Sequence, residues 1–330
     1  MIHDFDPAIA VTPLGPIYWY GAVYTLGFTG IFLWFWFRRH ARGLTNADVF
    51  TFAILFAVGV LVGGRIFDIL VYEMDYYLER PLAALNWWEG GMASHGVLLG
   101  GLVATAVFAR LRGHSLIALL DEIVVPGVFL LAVSRFGNFI EGGVVGSETT
   151  LPWGFVYPDL EGARHPVALY ESSKNFVILP ILIWALAKWP PGRGVVASLF
   201  IFLYAALRFA VDLFRDYEAA WLGIGTGQVF NLVMAAAGLA MLIWTLKSPR
   251  EVKTPPNPPA RDASWLHFAM LIAVILYPLG IPTSWTRSNI EEKRQETMEQ
   301  ADTLQSIAPL YRVLATVAGT DINTSPNATN

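Results

Sequence analysis

The chain has 330 residues, of which 55% are hydrophobic and only 15% charged, and its mean hydropathy is +0.50. A soluble domain carries about 25% charged residues, so the deficit points to contact with lipid. The formal net charge of −4 argues against a nucleic-acid partner, and the absence of cysteine excludes a disulfide scaffold, a thiolate metal site and a cysteine nucleophile.

A bilayer core of about 30 Å takes about 20 mostly apolar residues as a helix. Eight stretches meet this: 17–37, 49–72, 93–110, 116–140, 167–188, 194–214, 227–246 and 264–283. Asp121, Glu122, Pro126 and Arg135 interrupt the fourth. Unbroken apolar runs such as 199–207 lack the alternation of a lipid-exposed barrel. The sequence therefore predicts an all-α integral membrane protein.

Basic residues orient the spans. Arg38, Arg39 and Arg42 follow the first, Arg110 and Arg112 the third, Lys188 and Arg193 the fifth, and Lys247, Arg250, Lys253 and Arg261 the seventh. These are 11 of the 22 Lys and Arg residues, all expected on one side. The opposite loops hold Glu73, Asp75, Glu79, Glu89, Glu148, Asp159 and Glu161. The N-terminus is thus expected outside the cytoplasm, and with eight spans the C-terminus as well. The first 16 residues carry Asp4 and Asp6 and no basic residue, which predicts a retained first helix rather than a cleaved leader. Residues 248–262 hold five prolines among charges and read as an extended cytoplasmic linker. The expected organisation is a core over 1–247, that linker, an extra transmembrane helix at 263–283 and an outer soluble tail at 284–330, with one amphipathic helix.

An ionisable residue inside a span costs several kcal/mol unless it is paired or hydrated. The span ends carry Arg65 with Asp68, His95, Arg135 with Asn138, Glu171 with Lys174, and Arg208 with Asp212. By the orientation above, all lie toward the outer face, which suggests a polar cavity open on that side. Local pairing is the alternative for several of them. Arg65 and Asp68 are spaced i, i+3, Arg208 and Asp212 i, i+4, and Glu171 with Lys174 fits a mutual pair. Arg135 stands apart, in SRFGNFIEGGVVGSE, where Gly142, Gly143 and Gly146 free the backbone for tight turns. A loop at membrane depth lines a cavity or is buried in protein. Arginine offers a permanently charged fork that fits phosphate, so Arg135 and Arg208 together suit one phosphodiester headgroup. A histidine nearby suits a general base. The expected ligand is an anionic phospholipid, and the expected chemistry displaces a phosphate ester.

The pieces IYWYGAVY, VGGRIFDILVYEMDYY, GGMASHGVLLGG, SRFGNFIEGGVVGSE, RHPVALYE and LRFAVDLFRD followed by LGIGTGQVFNL stand in order over roughly residues 10–247. In that order and spacing the chain resembles the prolipoprotein diacylglyceryl transferases of bacterial inner membranes. The resemblance implies a seven-span enzyme of the inner membrane with no cofactor or metal. It would move the diacylglyceryl group of phosphatidylglycerol to the lipobox cysteine thiol of a preprolipoprotein signal peptide and release glycerol 1-phosphate. Carried over by motif, Arg135 and Arg208 would bind the phosphate and His95 would be the base for the thiol. Tyr20, Asn138 and Gly146 match positions tied to activity or to the cavity, and Glu171, Arg215 and Gln228 match polar positions lining it. Six places depart from the family pattern, among them Val167 and Ala168, which stand for a small hydroxyl residue and Gln. Ser134 replaces the first signature glycine, Glu141 stands for Asn, Gly143 stands for Glu, and Asp212 replaces a Glu. Glu141 thus supplies a carboxylate two residues from the usual place. The same arginines also fit two other readings: a different acceptor, or a lipid or anion transporter without chemistry.

Overall fold

The computed structural model describes residues 1–13, 15–72, 74–85, 92–158, 160–215, 226–247 and 262–281. The chain opens with a hairpin of β1 (Ala8–Thr12) and β2 (Gly15–Tyr18) and runs into α1 (Trp19–Arg38). Then follow α2 (Asn46–Phe67), a π-helical turn over Asp68–Tyr72, the short α3 (Met74–Glu79), α4 (Ser94–Arg112) and α5 (Leu116–Ile140). A small hairpin of β3 (Phe155–Val156) and β4 (Ala163–Arg164) precedes α6 (Val167–Lys188), α7 (Val195–Asp212), α8 (Thr226–Lys247) and α9 (Trp265–Leu276).

Among the described residues, six helices are long and apolar enough to cross a membrane: α1, α2, α5, α6, α7 and α8. The interrupted fourth stretch is a 25-residue helix, and its window is the most buried of the six. Two further expected stretches also form helices, outside those six. The 19-residue α4 is less apolar than its neighbours and ends on Arg110 and Arg112. The last stretch forms a 12-residue helix continued by a 3-10 turn to Gly280, shorter than the about 20 residues that a hydrocarbon core requires. Its residues Pro278 and Gly280 follow the helix and stop it lengthening. This helix lies against α1 and α2, with Leu271 buried among Phe50, Ala53 and Ile54. The tail, and all of the linker except Asp262, lie outside the described residues.

Helix α5 is the axis of the bundle. One face packs Ile123, Leu130 and Val133 with Phe28, Ile31 and Phe35 of α1 and Phe52 and Val60 of α2. The other packs Val125 and Val128 with Ile178 and Leu182 of α6 and Val196 and Tyr204 of α7. The acidic residues near its start are satisfied. Asp121 accepts from the backbone N–H groups of Gly192, Gly194 and Ala197 at 2.8–2.9 Å, covering donors that the first turn of α7 leaves without partners. Glu122 takes Arg38 at 2.9 Å, the Trp34 indole at 3.0 Å, and Arg42. At the same end, Arg112 pairs with Asp48 at 3.4 Å, and Thr45 and Asp48 form a capping box on α2. Several basic residues that mark one side of the chain are therefore also structural ion-pair partners.

Candidate functional site

The opposite end of the bundle gathers a second set of charges, from α5, α6, α7 and the residues just beyond. The side chain of Glu171, in the second turn of α6, is fully buried. Its Oε1 accepts from Arg208 Nη1 at 2.8 Å. Its Oε2 lies 3.3 Å from Lys174 Nζ and 4.0 Å from Arg135 Nε. The Glu171–Lys174 pair foreseen from spacing is thus one part of a hub in which one carboxylate serves three cations.

A second carboxylate extends the hub. Asp212 Oδ2 stands 3.8 Å from Arg208 Nε, and its Oδ1 stands 3.8 Å from Arg215 Nε. Asn231 of α8 donates to Asp212 Oδ2 at 2.6 Å, and Gln228 donates to the Asp212 backbone carbonyl at 3.3 Å. Among the described residues, Arg135, Lys174, Arg208 and Arg215 are therefore grouped around the two carboxylates Glu171 and Asp212. Arg135 and Arg208 keep side-chain exposures of 13% and 18%, whereas Lys174 keeps 5%. The two arginines are the more accessible of the three cations that Glu171 serves.

Arg135 joins this hub to an aromatic group on α1. Its Nη1 donates to Asn138 Oδ1 at 3.3 Å. Tyr20 and Tyr24 share a hydroxyl contact of 3.3 Å. The close fit depends on Gly137, where a Cβ would meet Val23 at 2.9 Å and the Tyr20 Cα at 3.5 Å. Glu141 is buried at the C-cap of α5. Burial, reinforced by the Glu141 carboxylate, pushes the nearby Tyr18 phenol above its ordinary value.

The glycine-rich segment after α5 behaves only partly as expected. Gly142 takes φ +78°, a left-handed turn that suits glycine, but the next such residue is Val144 at φ +63°, not Gly143 or Gly146. A β-branched residue held there is strained, and strain of this kind gathers at functional sites. Gly146 serves close packing instead. A Cβ on it would meet the Phe214 carbonyl at 2.6 Å and His165 Cβ at 2.8 Å. Its N–H donates to the His165 carbonyl at 3.0 Å, so this position ties the loop to the strand before α6 and the end of α7. It supports the packing of these three segments and brings no polar side chain to the hub.

Two expected members need separate statements. His95 occupies the first turn of α4, and its side chain lies outside the described residues. Arg65 is not in the hub. It is 2% exposed, donates to the backbone carbonyls of Ala83 and Ala84 and lies over the Tyr77 ring, so it anchors the α3 region. Sequence reasoning grouped Lys174 with the outer-face polar residues but gave it no role, and it did not place Asn231 in the site. The signal for Asn231 was its spacing of i, i+3 from Gln228 in an apolar helix.

The fold and this site define a multi-pass helical membrane protein with a largely buried cluster of cations and carboxylates at one end of the bundle. The sequence profile described as prolipoprotein diacylglyceryl transferase matches residues 8–244, and the chain belongs to that family. A phosphatidylglycerol–prolipoprotein diacylglyceryl transferase of Cupriavidus pinatubonensis is 37% identical over 278 residues, which cover 80% of this chain and 99% of the relative. Proteins of the same name from Nitrosomonas europaea and Cupriavidus necator are 37% and 38% identical, covering 75% of this chain and 92% and 95% of their own lengths.

Proposed function

We propose that this chain transfers the diacylglyceryl group of phosphatidylglycerol to the lipobox cysteine of preprolipoproteins in the bacterial inner membrane. The observation that carries this reading beyond family membership is the grouping of cations around Glu171 and Asp212 in a largely buried site. Among the described residues of the hub, four cations face two carboxylates, an arrangement that an anionic phosphate suits.

The chemistry sets what the site must do. The substrate thiolate attacks the glyceryl carbon, a C–S bond forms, and the C–O bond to phosphate breaks. The electron pair goes to the departing oxygen, so the phosphate passes from monoanion to dianion. Arg135 and Arg208 stabilise that growing charge where little water competes. A free thiol with a pKa of about 8.5 is mostly protonated at neutral pH, so a base is needed, and His95 is assigned that role by family motif. Residues 1–247 form the catalytic core, with the N-terminus outside, and the C-terminal extension is accessory.

Purified protein incubated with labelled phosphatidylglycerol and a lipobox peptide tests the proposal. Thioether-linked peptide with glycerol 1-phosphate release is expected. Glycerol phosphate release with no peptide product would replace the acceptor, a result that the Glu141 and Gly143 substitutions would then explain. Lipid binding without turnover would overturn the enzyme reading in favour of transport.

A further inference from the structure

We propose that Lys174 is a positioning residue that holds Glu171 so that Arg135 and Arg208 are released to a phosphate anion. This rests on the reading of the site as a phosphate site, and it adds a role for a residue outside the family motifs quoted above.

The geometry divides the work of one carboxylate. Glu171 gives Oε1 to Arg208 at 2.8 Å and shares Oε2 between Lys174 at 3.3 Å and Arg135 at 4.0 Å. A phosphate entering between the arginines needs the same donors that Glu171 now holds. It also meets the negative charge of Glu171 itself. Both costs fall if another cation stays on Glu171 when the arginines turn to the ligand. Lys174 is built for that part. It sits one helical turn along α6 from Glu171. It is further held by Asn175 Oδ1 at 3.2 Å and lies 3.8 Å from the Tyr204 ring centroid. With 5% side-chain exposure against 13% and 18% for the arginines, it balances Glu171 from behind and leaves the accessible face to them. Ser172, on the intervening turn, donates to the Ala132 carbonyl of α5 at 2.8 Å and fixes α6 beside Arg135.

Without Lys174, Glu171 depends on the arginines alone and becomes a built-in competitor for the anion. Neutralising Glu171 as well removes the competitor. The sign of the coupling therefore separates this role from a purely structural one, in which the two losses would add.

The test uses the full chain in nanodiscs and reads glycerol 1-phosphate binding by calorimetry, beside turnover of phosphatidylglycerol. Lys174→Met is expected to weaken binding about tenfold and to raise KM for the lipid with kcat little changed. Lys174→Arg is expected to bind like the parent, and Lys174→Met with Glu171→Gln to return within about threefold of it. Parent-like binding by Lys174→Met overturns the proposal, as does a double variant that binds more weakly than Lys174→Met. If Lys174→Met does not fold, the double variant is compared with the parent, and binding more than about tenfold weaker overturns the proposal. A parent that binds the phosphate ester but forms no thioether would sink the transferase reading and leave the role of Lys174 standing.

Discussion

Arg208 Nη1 donates to Glu171 Oε1 across 2.8 Å, and the receiving side chain is fully buried. Its Nε also faces Asp212 at 3.8 Å. One guanidinium thus spans two carboxylates while keeping part of its surface accessible. A lysine in its place would offer a single charge centre and could not hold both partners and a phosphate in one plane.

Arg208→Lys is accordingly expected to lower kcat/KM by about 100-fold, the usual cost of losing one well-aimed donor to developing negative charge. Helix content by circular dichroism should stay at the parent value. A loss below about threefold would remove Arg208 from the anion clamp.

The seam between α2 and α4 gives a prediction about packing. Gly59 and Gly63 of α2 face Gly96 and Gly100 of α4 so closely that a Cβ on Gly100 would overlap the Gly59 carbonyl. Small residues spaced four apart allow this backbone approach between membrane helices. Gly100→Val should therefore lower stability by about 2 kcal/mol, read as a drop in thermal midpoint, and should impair turnover because α4 opens on His95. Gly127 of α5 is the contrast. A Cβ there meets nothing within 4 Å, beside an apolar cavity lined by Val124, Leu131 and Phe200. Gly127→Ala should raise the midpoint through about 1 kcal/mol of helix propensity.

The helices were legible because lipid-facing segments must be continuously apolar, so every polar residue within them stands out. That contrast alone sets Arg135, Glu171 and Arg208 toward one end of the bundle. What pairs with what was not legible. Residue spacing sees only neighbours on one helix, so it found Glu171 with Lys174 but not the closer contact of Glu171 with Arg208, 37 residues away. It also grouped Arg65 with the hub, because depth along a helix says nothing about which way a side chain turns. In the eighth stretch the apolar composition was legible but the extent of regular helix was not. Its composition is apolar enough for lipid, but Pro278 and Gly280 end the regular helix and shorten it. The two hairpins are short, and their order depends on partners such as His3, which contacts the Phe139 carbonyl at 2.6 Å and stacks on Tyr157.

His114, in the turn between α4 and α5, gives a pH prediction. Its ring stacks on Phe108 at 5.7 Å between centroids, and burial pulls its pKa below the ordinary histidine value of 6.5. The folded state thus favours the neutral ring, while the unfolded chain protonates near the ordinary value. Stability from this group is present above pH 6.5 and is lost as pH falls through the folded-state pKa. His114→Phe keeps the stack and removes the proton site. The thermal midpoint of the parent should fall on acidification below pH 6.5 more steeply than that of the variant. Parallel profiles would show that other groups set the acid limit.

The helix beyond the matched family region makes the last prediction. Gly21 of α1 leaves room for the Pro278 backbone, and Thr25 Oγ1, one turn further, donates to the Ile275 carbonyl at 2.7 Å. That bond satisfies a carbonyl near the end of α9. Thr25→Val should cost about 1 kcal/mol through the lost bond. Gly21→Val should cost more, about 2 kcal/mol, because its side chain meets backbone that cannot swing aside. A chain ending at residue 247 discriminates between docking and a local effect on α1. With Pro278 and Leu279 absent, the three atoms nearest the new Cβ are gone, so Gly21→Val should cost much less in thermal midpoint there. An equal drop in both chains would show that Gly21 is needed by α1 alone and that α9 adds no constraint at this point.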